Sequence, residues 1–113
     1  MDCLFCKIAC GEIPAKLLYQ DDQVVAFADI NPQAPVHVLV IPRQHISTIN
    51  ELNQANSALV GHMAWVATRL AKDANIDEKG YRLVMNCNSG GGQEVYHIHC
   101  HLLGGRQMTW PPG

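Results

Sequence analysis

Tyr96-His97-Ile98-His99-Cys100-His101-Leu102-Leu103 places a histidine at every second position over its first six residues. Side chains alternate faces along a strand, so this segment, read as one, points His97, His99 and His101 one way. Ile98, Cys100 and Leu102 point the other way, into apolar packing. Three imidazoles on one face are costly filler, because each carries two ring nitrogens that need partners. The pattern reads as a functional cluster on the last strand of a sheet. Two chemistries suit it. Alternating histidines can ligate zinc through three nitrogens and leave one position open. Alternatively, one imidazole can attack phosphorus while its neighbours orient it and manage charge.

Immediately upstream lies Asn88-Ser-Gly-Gly-Gly-Gln93. Successive glycine amides can form a concavity for an anion, since no Cβ blocks approach. Next to three imidazoles this run reads as a phosphate cradle, with Asn86 as a further amide donor. Farther upstream, Val36 to Ile41 is β-branched and apolar except at His37, and Pro42 ends it. His37 either faces the same site or is a satisfied core histidine.

The remaining elements follow from period and punctuation. Leu17 to Gln20 and Val24 to Ala28 read as a hairpin across Asp21-Asp22-Gln23. Leu59, Met63, Val66 and Leu70 line one face of a helix that starts near Asn53 or Asn56 and ends around Asn75. Tyr81 to Asn86 reads as a strand, and Cys3 to Ala9 as a short helical turn stopped by Gly11 and Pro14. The expected fold is α+β: a mostly antiparallel five-stranded sheet, one long helix and a short N-terminal helix.

A chain of 113 residues fits one domain, expected to span residues 1–113. A domain this small gains from a partner subunit. The net charge is −2 with no lysine or arginine run, which argues against a nucleic-acid groove but not against a mononucleotide. No apolar stretch is long enough to span a bilayer and the N-terminus has no signal-peptide pattern, so a cytoplasmic location is expected. Five cysteines without export signals read as free thiols or a metal site rather than disulfides. Cys3-x-x-Cys6 could hold two corners of a zinc site, or be a pair of reduced thiols.

His97-Ile-His-Cys-His101-Leu-Leu resembles the histidine-triad motif. Glu12-Ile-Pro-Ala-Lys16, Phe27 to Pro42, Gly91-Gly-Gln93, Leu103-Gly-Gly-Arg106 and the Trp110-Pro-Pro-Gly113 tail extend the likeness to the Hint branch of histidine-triad nucleotide-binding proteins. The resemblance implies hydrolysis of the P–N bond of purine nucleoside phosphoramidates, with no cofactor required for the chemistry. His99 would be the nucleophile and would carry a nucleotidyl intermediate. An imidazole at its reference pKa of ~6.5 is largely neutral at pH 7 and needs little activation. His101 would bond the phosphoryl oxygens, His97 would position the nucleophile through its strand, and His37 would complete the set. Asn86 and the backbone amides of Gly92 and Val95 would contact phosphate, and Asp29 the ribose hydroxyls. Leu4, Phe5, Ile8, Phe27 and Ile30 would sandwich the base, although core packing explains these five equally well.

The resemblance also implies a homodimer, with the Trp110 tail reaching toward the partner's site. Some Hint proteins carry serine where this chain has Glu94, a departure that bears on the leaving group. The transferase branch replaces the last histidine by glutamine; His101 is retained here, which favours hydrolysis. Relatives with the N-terminal cysteine pair imply Cys3, Cys6, His45 and His97 as ligands of a structural zinc. Two other readings remain in competition: a zinc hydrolase built on the three motif histidines, and a non-catalytic nucleotide-binding or scaffold protein.

Overall fold

The computed structural model describes residues 3–113. Helix α1 (Leu4–Ala9) precedes strands β1 (Leu17–Gln20), β2 (Val24–Ala28) and β3 (Val36–Pro42); helix α2 (Ser57–Asp73), β4 (Tyr81–Val84) and β5 (Cys100–Gly104) follow. The sheet order is β1-β2-β3-β5-β4, and every neighbouring pair is antiparallel. Short 3₁₀ turns at Ile49–Glu51 and Ser89–Gly91, which no periodicity announced, complete the chain.

Strand alternation divides the core into two layers. Val24, Ala26, Val38, Val40, Cys100 and Leu102 pack against α2, whose Leu59, Met63, Val66, Ala67, Leu70 and Ala71 are buried. Fully burying a side chain the size of Leu or Met contributes about 1.5–3 kcal/mol, so this seam dominates the fold's stability. Val25, Phe27, Leu39 and Ile41 face the opposite way, toward Phe5, Ile8 and Ala9 of α1. His37 and His101 share the parity of Leu39 and so belong to the α1 side.

Helix α2 is stopped by a Schellman arrangement. Asn75 takes the left-handed conformation (φ 59°), Ile76 N–H donates to Ala71 O at 3.0 Å, and the Ile76 side chain is buried. At the other end the Asn53 side chain accepts from Ala55 and Asn56 N–H, so Asn53 turns the chain into the helix.

The last strand is shorter than its alternation suggests. It begins at Cys100, not Tyr96, because β3 ends at Pro42 and Ile98 N–H turns away to Ile46 O at 2.8 Å. Ile98 still joins the α2 layer, but His97 and His99 stand on a bent approach to the strand. Tyr81 to Asn86 likewise shortens to Tyr81–Val84. Among the described residues no helix is long and apolar enough to cross a membrane.

The β1–β2 turn is tied to α2 by one carboxylate. Asp21 accepts from Gln23 N–H, Val24 N–H, Tyr19 OH (2.8 Å) and His62 Nε2 (2.7 Å). Burial pushes this carboxyl up, but those four bonds outweigh it and hold it well below the usual carboxylate range. Asp21→Ala removes all four and should cost about 2–3 kcal/mol in urea unfolding. A cost under about 0.5 kcal/mol would show the cluster to be ornamental.

Candidate active site

The hydrogen bonds around the histidines fix which ring nitrogen carries each proton. Gln33 N–H donates to His37 Nδ1 at 3.0 Å, and a backbone amide can only donate. Neutral His37 therefore carries its proton on Nε2, which lies 2.8 Å from His101 Nδ1 and donates to it. His101 in turn carries its proton on Nε2, which has no protein acceptor among the described residues. His99 is arranged the opposite way. Its Nδ1–H donates to the His97 carbonyl at 2.8 Å, leaving a lone pair on Nε2. A bare lone pair and an N–H donor thus stand on rings whose centroids are 4.9 Å apart. The Phe5 ring meets His99 edge-on at 5.1 Å and fixes its plane.

Burial keeps His101 and His37 neutral. It pushes His101 down to about 4, helped by the neighbouring His99 and His37 rings and opposed by Asp29. His37 is also lowered by burial, with the Asp29 carboxylate 3.5 Å away opposing. Folding therefore favours neutral His101, and the unfolded chain takes up a proton near pH 6.5 that the folded one refuses until about pH 4. Stability should fall by about 2–3 kcal/mol between pH 7 and 4.5 from this group alone, read by urea unfolding at the two pH values. A flat profile would contradict the neutral pair.

His97 lies on the same face, against the same Phe5 ring as His99, but its nitrogens are committed elsewhere. It is fully buried, and its Nε2–H donates to Pro42 O at 2.7 Å, so its Nδ1 lone pair faces the N-terminal cysteines. Cys3 Sγ and Cys6 Sγ lie 3.4 and 3.5 Å from that nitrogen. His45 Nδ1 is 3.2 Å from it and 3.2 Å from Cys6 Sγ. All four atoms fall within 4.8 Å of one another. Ligands on a zinc tetrahedron, with bonds of about 2.0–2.3 Å, stand about 3.3–3.8 Å apart. The spacing and the sulfur and nitrogen donor types therefore fit zinc. The three motif histidines form no such group among the described residues, because His97 turns one ring nitrogen to Pro42 O and the other to the cysteines.

The glycine segment is organised differently from the expected run of open amides. Gly91 and Gly92 N–H are spent on Asn88 O and Ser89 O, so the Gly92 amide is not a free phosphate donor. Glu94 and Val95 N–H and the Asn86 side-chain amide have no acceptor among the described residues. Val95 packs against the α1 layer, while the Glu94 side chain is exposed. Asp29 lies between His37 and the Asn31 N–H, which donates to it at 2.8 Å. Of the five apolar residues expected at a base, Phe5, Ile8 and Phe27 are buried in the α1 layer. Leu4 and Ile30 are exposed at its rim. Cavities of about 280 and 420 Å³ lie at the two ends of α2, and neither borders a histidine.

The HIT domain family matches residues 10–108. The chain belongs to the HIT family. It is 52% identical over 105 residues to the purine nucleoside phosphoramidase of Escherichia coli K12, covering 93% of this chain and 88% of that one. Its structure matches a HIT family hydrolase from Legionella pneumophila with a TM-score of 0.97 at 61% identity, over 99% of this chain and all of the other. A zinc-bound histidine triad family protein from Mycobacterium smegmatis superimposes with a TM-score of 0.81 at 28% identity, over 97% and 81% of the two chains.

In this HIT protein several groups that shape the histidine cluster gave no sequence signal. Pro42 O, His97 O and Gln33 N–H act through the main chain, and Gln93 sat in the quoted loop without a role for its side chain.

Proposed function

We propose that this HIT-family hydrolase cleaves the P–N bond of purine nucleoside phosphoramidates through a nucleotidyl-histidine intermediate. The observation that carries this reading is the opposed protonation of His99 and His101: a free Nε2 lone pair beside an Nε2–H donor. His99 Nε2 attacks phosphorus as the P–N bond breaks, and the amine departs with that electron pair and a proton taken from solvent, which the attacking water of the second step gives back. His101 Nε2–H, backed by His37, donates to a phosphoryl oxygen as charge builds, and the Glu94 and Val95 amides and Asn86 hold the others. Water then splits the N–P bond, releasing the nucleoside monophosphate and restoring His99. Asp29 accepts from the ribose, and Leu4 and Ile30 cover the base. The phosphoramidase activity named for the Escherichia coli relative supports the substrate class.

Cys3, Cys6, His45 and His97 would hold zinc, which supplies a structural crosslink between α1 and the approach to β5. The chain pairs with a second copy through the open edge of β4, where Leu83 is exposed, and the exposed Trp65 of α2. Acid-stable trapping is unsuited to a phosphorylated imidazole, so the test is a rapid alkaline quench with adenosine 5′-phosphoramidate followed by peptide mass spectrometry. An adenylyl mass on the peptide containing His99 is expected. Turnover with no such adduct at any quench time would remove the covalent route.

A further inference from the structure

Gln93 is a buried glutamine whose side-chain amide is fully used and which the chemistry above does not touch. Its Oε1 accepts from Asn88 N–H at 2.8 Å. Its Nε2 donates to Ser47 O at 2.8 Å and to Val95 O at 3.1 Å. Its own N–H donates to Asn88 O at 3.0 Å, closing a second bond to the same residue. One side chain thus joins the start of the glycine segment, its end, and the chain just past His45.

Asn88 is the reason such a clamp is needed. It sits at φ 60° and ψ −177°, a region that glycine occupies freely and a residue with a Cβ occupies under strain. Strain of this kind persists only where surrounding bonds over-determine the conformation. Here both main-chain polar groups of Asn88 are held: the N–H by Gln93 Oε1, the carbonyl by Gly91 and Gln93 N–H. The fold that results folds the Gly91, Gly92 and Gln93 amides inward and leaves those of Glu94 and Val95 without a protein acceptor among the described residues.

We infer that Gln93 is a positioning residue that holds strained Asn88 in place and thereby presents the Glu94 and Val95 amides to the phosphoryl group. The inference rests on the phosphoramidate reading for its catalytic consequence, but the clamp itself is measurable without substrate. Gln93→Met keeps the length of the side chain and removes its hydrogen bonds. Preorganised amide donors act mainly in the transition state, so kcat for adenosine 5′-phosphoramidate should fall about 30–100-fold while KM changes less than about threefold.

The decisive measurement is rescue. Asn88→Gly makes the same backbone conformation cheap, so in the Gln93→Met background it should recover about tenfold in kcat, while alone it changes kcat less than about threefold. A side chain needed only for global stability would show no such rescue. Amide hydrogen exchange on the unliganded protein supplies the second readout: Asn88 N–H should exchange at least about tenfold faster in Gln93→Met, with α2 amides unchanged. Wild-type kcat in Gln93→Met, or an equal loss with and without Asn88→Gly, overturns the inference. If the wild type does not turn over phosphoramidates at all, the substrate reading fails, and unchanged or accelerated Asn88 exchange still decides for or against the clamp.

Discussion

Replacing His99 with alanine should lower kcat/KM for adenosine 5′-phosphoramidate by about 10⁴-fold or more, with Tm and nucleoside monophosphate affinity nearly unchanged. The size of the effect follows from what the ring does. No other nitrogen lone pair is aimed from the same place: His101 Nδ1 accepts from His37, and His97 Nδ1 faces the cysteines. Water attacking directly would have to do so without the oriented nucleophile, keeping only the help of the surrounding donors. His99 is buried against the Phe5 and His101 rings but makes a single hydrogen bond to the fold, through the His97 carbonyl, so its loss should cost activity far more than stability. A variant retaining activity within about tenfold of wild type would end the assignment of His99 as nucleophile. A non-catalytic nucleotide-binding role would be left if the wild type itself released no amine.

Metal removal is expected to give the second large effect. Protein purified without chelator should carry one zinc per chain, and stripping it should lower Tm by about 10 °C or more. The four ligand atoms come from the N-cap and first turn of α1, the segment after β3, and the approach to β5, and α1 is otherwise held to the other two by its packing layer and the Arg43 bond to Ala9 O. Without the cation, two thiols and two imidazoles remain crowded within 4.8 Å, and the buried His97 ring has no partner at Nδ1 beyond them. Cys3→Ser combined with Cys6→Ser should reproduce the loss of metal and most of the loss of Tm. Substoichiometric metal together with a Tm indifferent to chelator would refute the zinc site. The same chelation separates a structural ion from a metal hydrolase. The former leaves His99-dependent turnover measurable below the new Tm; the latter loses it entirely.

How far the sequence carried this reading differed by element. The hairpin strands and β3 were legible because their apolar runs are bounded by Asp21-Asp22-Gln23 and by prolines, and α2 because Leu59, Met63, Val66 and Leu70 share one face. The extent of the last strand was not, since its end is set by Pro42 on a neighbouring strand and by Ile98 turning to Ile46, long-range facts with no local trace. Alternation correctly turned Cys100 and Leu102 into apolar packing; the structure shows this to be the α2 layer, where burial raises the Cys100 thiol to about 11 and keeps it inert. It also put His97 on the face of His99 and His101, where the Phe5 ring meets both His97 and His99, but a strand period could not show that His97 turns its Nδ1 to the cysteines. The Cys3-x-x-Cys6 pair gave half a ligand set; the other half came from likeness to a family and is brought together by the fold. The Gly92 amide was misjudged for a simpler reason: glycine permits an open nest, but this loop closes into a 3₁₀ turn that consumes the N–H.

His97 serves two neighbours through different atoms, its imidazole turned to the sulfurs and its carbonyl to His99. Every amino acid brings the same carbonyl, so a substitution at this position deletes the one service and preserves the other. Mutational scanning there would consequently score the tethering of the N-terminus, and a motif histidine that looks indispensable could be exchanged, in a background stabilised elsewhere, with the bond-breaking step left intact.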